Sequence, residues 1–160
     1  MASTFFAAGA AQAGQAEIDR LANYVGDWRG TGLLVGGDEP ETFTCRLSVS
    51  KGNALKINYA GRCALLNRNL SVSGTIAYND QAQQYEAAMS SNAKFTGQAV
   101  GRVRGENVVF DLRKQDRDQS GNDIEVGAVI ILEGPAITVD FEVEFNDSGD
   151  VLTASVPFAQ

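Results

Sequence analysis

Histidine is absent from this 160-residue chain. That removes the commonest general base and the commonest metal ligand. No Ser-His or Cys-His pair can be assembled, and no histidine-based zinc site. Proline occurs only three times against 17 glycines, a balance that suits tight turns and curved strands better than an extended linker. No apolar run approaches the length of a membrane-spanning helix. Basic residues are outnumbered, 13 to 20, giving a net charge of −7. Such a surface repels phosphate backbones and anionic lipid, so nucleic acid and membrane are poor partners. The N-terminal stretch MASTFFAAGAAQAGQAE has the small residues of a signal cleavage region but no positive segment before them. It reads as a flexible tail over residues 1–16 of a periplasmic or secreted protein, with a cytoplasmic location as the alternative.

The remaining residues, 17–160, read as one domain. The apolar fraction of 44% is enough for a single core. Residues 17–25 have helical spacing, with Ile18, Leu21, Ala22 and Val25 on one face and Gly26 as a C-cap. From Trp28 onward the period is two. Phe43, Cys45, Leu47 and Val49 share a dry face, as do Leu55, Ile57, Tyr59 and Cys63. Leu70, Val72, Ile76 and Tyr78 follow the same rule. The clearest strand is 137–145, where Ile137, Val139, Phe141, Val143 and Phe145 alternate with Thr138, Asp140, Glu142 and Glu144. One wet and one dry face per strand marks antiparallel sheet. Gly105-Glu106 fits a two-residue hairpin loop with glycine first. It predicts the pairs Val103 with Val108, Gly101 with Phe110, and Ala99 with Leu112. The polar run RKQDRDQSGND reads as one long hairpin loop. With no long helix to carry parallel crossovers, the pattern predicts an all-β fold. Its form is an antiparallel up-and-down meander barrel of about 8–10 strands with one short N-terminal helix.

Gly26, Asp27 and Trp28, following a short helix and opening a β-meander, resemble the start of the calycin superfamily, the lipocalins and fatty-acid-binding proteins. The longer pattern Gly26, Trp28, Gly30 and Gly32 is similar to the opening of nitrobindin-like barrels. The resemblance implies that Trp28 closes one end of the barrel and that the glycines let the first strand bend round it. It does not carry over haem, because nitrobindin-like proteins hold haem iron through a histidine. No cofactor and no metal is expected.

Several side chains are candidates for chemistry. Cys45 and Cys63 lie on dry faces of neighbouring strands. A turn centred on Gly52 would set Cys45 opposite Tyr59, too far from Cys63 for a bridge; a wider loop would allow one. Both a disulfide and two buried thiols therefore remain open. Asp116, Asp118, Ser120, Gly121 and Asn122 look like half of a calcium loop, but Gly127 stands where the closing acid belongs. Asp140, Glu142 and Glu144 form an acidic outer stripe that Arg102, Arg104 and Arg113 could face. Small residues, Gly97, Ala99 and Gly101 with Gly61, Gly74 and Ala128, share the dry side with Trp28, Tyr59, Tyr78, Phe110, Phe141 and Phe145. Two explanations compete: a cavity for a small hydrophobic ligand, or strand curvature with bulky neighbours filling the gaps. The expected function is a non-enzymatic barrel binding a small hydrophobic molecule. The alternatives are an exported protein-interaction module acting through its N-terminal segment and a barrel without such a ligand.

Overall fold

The computed structural model describes residues 10–53, 56–66, 69–92, 96–117 and 120–160. One helix, α1 (Ala10–Ala22), precedes ten strands. These are β1 (Gly26–Val35), β2 (Glu41–Lys51), β3 (Lys56–Ala64), β4 (Asn69–Asn79) and β5 (Gln84–Ser91), then β6 (Thr96–Arg104), β7 (Asn107–Arg117), β8 (Asp123–Glu133), β9 (Ala136–Phe145) and β10 (Val151–Ala159). Each strand pairs antiparallel with the next, and β10 returns to β1. The up-and-down barrel expected from the alternating pattern is therefore closed, so that every strand has a hydrogen-bonded neighbour on both sides.

The helix starts at Ala10, inside the segment expected to be a tail, and stops at Ala22 rather than 25. Its end is tightened by backbone bonds from Asn23 to Arg20, Tyr24 to Leu21 and Val25 to Ala22. The chain must swing from helix into β1 here, so Val25 leaves the apolar face and is 39% exposed. Ile18, Leu21 and Tyr24 are buried instead. The helix lies against β3 and β4 at the end of the barrel where β1 begins.

Hairpin register follows the side-chain pattern closely. Gly101 pairs with Phe110 and Val103 with Val108, and Gly105 sits in the turn with φ +64°. The Ala99–Leu112 pair is not part of this ladder, which ends at Gly101. Val103 lies beyond the packed interior and is 54% exposed, whereas Val108 is fully buried. The polar run after Leu112 is not one loop. Strand β7 continues to Arg117 and β8 resumes at Asp123, held by Gln115 against Glu125 and by an Arg117–Asp123 ion pair of 3.4 Å. Gly127 is consequently a strand residue. Asp118 and Leu55 lie outside the described residues.

The β2–β3 hairpin also departs from a turn centred on Gly52. The last pair is Lys51 with Ile57, and the Gly52 amide donates to the Lys56 carbonyl at 3.0 Å. That wider loop shifts the register so that Cys45 faces Cys63, and the two form a disulfide. Tyr59 faces Val49. Loop closure of this length contributes about 3 kcal/mol to stability. Replacing both cysteines by alanine should lower the urea-unfolding free energy by about that amount and Tm by roughly 6–12 °C. Identical unfolding curves for the two proteins would show that the bridge does not hold the β2–β3 register.

Candidate functional site

Because side chains alternate, the inner wall can be followed tier by tier through the register. A low tier runs unbroken from Tyr78 through Tyr85, Gly101, Phe110, Ile130 and Val139 to Val156, with Val108, Leu132, Ile137 and Phe158 buried in the tier below it. This end is packed. Trp28, Tyr85, Phe110, Leu21, Ile57 and Val108 are its most buried large side chains. The Trp28 indole N–H donates to the Tyr24 carbonyl at 2.9 Å, and the two rings stack with centroids 6.2 Å apart. The Tyr85 hydroxyl donates to the Glu17 carboxylate, which ties α1 to the barrel floor. Burial, followed by that bond to Glu17, raises the Tyr85 pKa well above the ordinary tyrosine range. Tyr78 meets Tyr85 edge-on at 5.2 Å.

Above the floor lies a belt poor in volume. Ile76, Ala87 and Ala99 are successive partners on one side; Leu112, Ala128, Phe141, Ala154 and Leu34 are successive partners on the other. Leu112, Val126 and Ala128 form a small apolar cluster of their own, with Met89, Ala99, Ile124, Phe141 and Val143 packed against it. At the top, Phe141, Val143 and Phe145 face inward by register yet are only half-buried. Lys114 also falls on the inward side here, and its ammonium donates to the Thr96 carbonyl at 2.9 Å.

The candidate ligand-binding residues are thus divided. Trp28, Tyr78, Gly101 and Phe110 belong to the solid lower end. Ala99 and Phe141 line the belt, and Phe145 stands at the mouth. Tyr59 spans the wall near Gly74, donating its hydroxyl to the Ala88 carbonyl at 2.9 Å. The glycines do not open space of their own. A Cβ at Gly101 would stand 2.6 Å from the Phe110 ring, one at Gly97 would stand 2.7 Å from Leu112, and one at Gly74 would stand 2.6 Å from the Tyr59 hydroxyl. Those neighbours already occupy the room, as the curvature explanation expects. Ala87 and Ala154, missed as candidates, are the small residues that do contribute to the belt. Their inward placement was readable from the alternation in YEAAM and TASVPF, but their tier depends on register.

On the outer wall the acidic stripe takes other partners than expected. Arg113 pairs with Asp111 and Glu125 at 3.8 and 3.7 Å, and Asp140 accepts from the Ser155 hydroxyl. Arg113 lies opposite Gly127, so β8 separates it from Glu142. Two grooves cross this wall. One, about 390 Å³, runs over β7–β10 and β1 between Asp140 and Glu142; the other, about 800 Å³, runs over β1–β5. Among the described residues no group of three or more acidic or cysteine side chains converges as a metal site would require.

No family model matches this sequence, and no curated protein matches it. Among solved structures the chain is similar to the crystal structure of Rv2717c from M. tuberculosis, at 12% identity and a TM-score of 0.66. The match covers 92% of this chain and 96% of that one. At that identity the likeness is one of fold.

Tyr59 gives the site a measurable pH signature. Burial pushes its pKa up to about 12 from an ordinary 10.0. The folded protein therefore holds this proton more tightly than the unfolded chain does. Its stabilising effect is complete below pH 10 and is lost as pH rises toward 12, by about 2–3 kcal/mol in all. Tyr85 acts in the same direction. Urea midpoints measured from pH 9 upward should fall across this window, and Tyr59→Phe should fall less steeply while losing about 1 kcal/mol at neutral pH. Parallel curves for the two proteins would mean that the Tyr59 hydroxyl is not buried.

Proposed function

We propose that this protein is a non-enzymatic, calycin-like barrel that binds one small hydrophobic molecule in the upper half of its lumen, outside the bacterial cytoplasm. The observation that carries the reading is the half-burial of Phe141, Val143 and Phe145, whose side chains face inward by register. An inward aromatic in contact with solvent fits a lumen that is open above it. Beside and beneath these side chains, Ala87, Ala99, Ala128 and Ala154 leave the belt short of volume, while the packed tier of Tyr85 and Phe110 gives it a floor. A wall of this chemistry, apolar with few polar groups, suits an uncharged apolar guest. Ten strands also make a wider barrel than the eight that side chains alone can fill. The Cys45–Cys63 bridge supports an oxidising compartment.

The test uses N-phenyl-1-naphthylamine, a neutral apolar dye whose fluorescence rises when it leaves water. The protein should bind it saturably at one site. Ala128→Leu, which fills the belt, should weaken binding about tenfold or more, at a stability cost of about 1–3 kcal/mol. Arg104→Gln, on the outer wall, should leave binding unchanged. Absence of saturable dye binding, or equal binding by Ala128→Leu, would overturn the reading.

A further inference from the structure

The larger outer groove has a composition that the lumen does not explain. Its floor is strand backbone, and its two walls are rows of outward side chains that run across the strands. In one row Arg29 is the Cα partner of Arg46, and Arg46 is the partner of Arg62. Three arginines thus stand directly abreast on β1, β2 and β3. Strand spacing places the outer two about 10 Å apart. All three are exposed, and none makes an ion pair among the described residues. The opposite row continues Asp27, Ser48, Ala60 and Ser73 along the same strands. Among the described residues Asp27 is the one carboxylate lining the groove, and it accepts a hydrogen bond from the Ser48 hydroxyl at 3.1 Å.

Like charges placed directly opposite on adjacent strands destabilise a sheet. A chain with a net charge of −7 has acids enough to spare a partner for each arginine, yet this row has none. Most of the strand acids lie elsewhere, on β7, β8 and β9, where Arg113 pairs with Asp111 and Glu125 and Arg117 with Asp123. The groove's lining is rich in hydrogen-bond donors, guanidinium and hydroxyl, and among the described residues no aromatic ring lines it from the outside. A sugar face would find nothing to stack on there; a row of oxyanions would find a donor at each strand.

We propose that this groove is a binding site for a linear oligophosphate group, with Arg29, Arg46 and Arg62 each taking phosphate oxygens. Guanidinium forks bind phosphate bidentately, and neutralising the row removes its internal repulsion, so the ligand both gains contacts and relieves the sheet. The protein's overall negative charge does not forbid it. At physiological ionic strength charges beyond about 8 Å are screened, and β10 stands between the row and the acids of β9, with those of β8 one strand further round. A long nucleic acid would run past the groove onto those acids, whereas a short oligophosphate stays within it.

The probe is inorganic tripolyphosphate, titrated calorimetrically into the intact chain at physiological ionic strength, with orthophosphate alongside. Tripolyphosphate should bind at one site and more tightly than orthophosphate. Arg46→Gln, at the centre of the row, should weaken it about tenfold or more. The double change Arg46→Gln with Arg62→Gln should abolish binding. Arg102→Gln with Arg104→Gln removes the same charge elsewhere on the barrel and should leave it intact. Without ligand, Arg46→Gln should melt at a slightly higher temperature than the parent, because the repulsion is gone. Tripolyphosphate should raise the parent's Tm and not that of the Arg46/Arg62 variant. The proposal fails if tripolyphosphate does not bind, if orthophosphate binds equally well, or if the two double variants lose binding equally. A lower Tm for Arg46→Gln would also overturn it, since the arginines would then be stabilising the wall.

Discussion

The contact on which the rest of the barrel depends is the seam between the first and last strands. Strand β10 must press against β1 for the sheet to close, and it does so at Gly30 and Gly32. A Cβ on Gly30 would lie 2.6 Å from the Pro157 carbonyl oxygen and 2.7 Å from Val156, and one on Gly32 would lie 2.8 Å from Val156. Any larger residue would push the seam apart. The same two glycines follow Trp28, whose ring needs depth below the seam and whose N–H is satisfied by Tyr24. The run of glycines round a lone tryptophan is therefore one device: the tryptophan closes the end while the glycines let the last strand reach the first. With the seam closed, every strand in the barrel has a neighbour on both sides.

Closure divides the interior unequally. The end beneath α1 is filled by aromatic rings that lie over glycines, so curvature and packing there are the same feature. The Glu17–Tyr85 bond adds a polar tie between helix and floor, in a place where burial already disfavours an ionised phenol. Moving upward, side chains shrink to alanine and then become half-exposed along β9. A core of this kind is held from below. Substitutions in the lower tier act mainly on stability, and those in the belt change the free volume above the floor. These two kinds of effect are separable because the belt has its own small cluster round Leu112, Val126 and Ala128.

Much of this was readable from side-chain period alone. The alternation of Ile137 to Phe145 and the Gly105 hairpin are local, so strand identity, inward face and the Gly101–Phe110 pair follow directly. What failed is what depends on more than one strand. Cys45 meets Cys63 only because the hairpin loop is wider than a Gly52 turn, and no local pattern states loop width. The polar segment 113–117 looked like loop because its side chains are hydrophilic, but ion pairs and amides across the hairpin keep it in the ladder. The helix start was hidden because Ala, Gly and Gln before Glu17 carry no apolar period. As for the lumen, the sequence identified which residues face inward but not their tier. Hence Gly97 and Gly101 read as space, although Leu112 and Phe110 occupy it.

Register also explains why the arginine row went unseen and why it is hard to dismiss as chance placement. Arg29, Arg46 and Arg62 are far apart in the chain and each looks like an ordinary outward residue. They come abreast only because Trp28 is set opposite Leu47 and Cys45 opposite Cys63. The disulfide fixes the second of these pairings covalently, one position from Arg46 and Arg62. A slip of one residue would relieve the repulsion but would turn the dry face of β2 outward. The hydrophobic core and the bridge thus hold in place a surface arrangement that costs stability by itself. A row of like charges enforced in this way is better understood as kept for a ligand than as tolerated by neglect, because one glutamine at position 46 would remove most of the cost without touching the core.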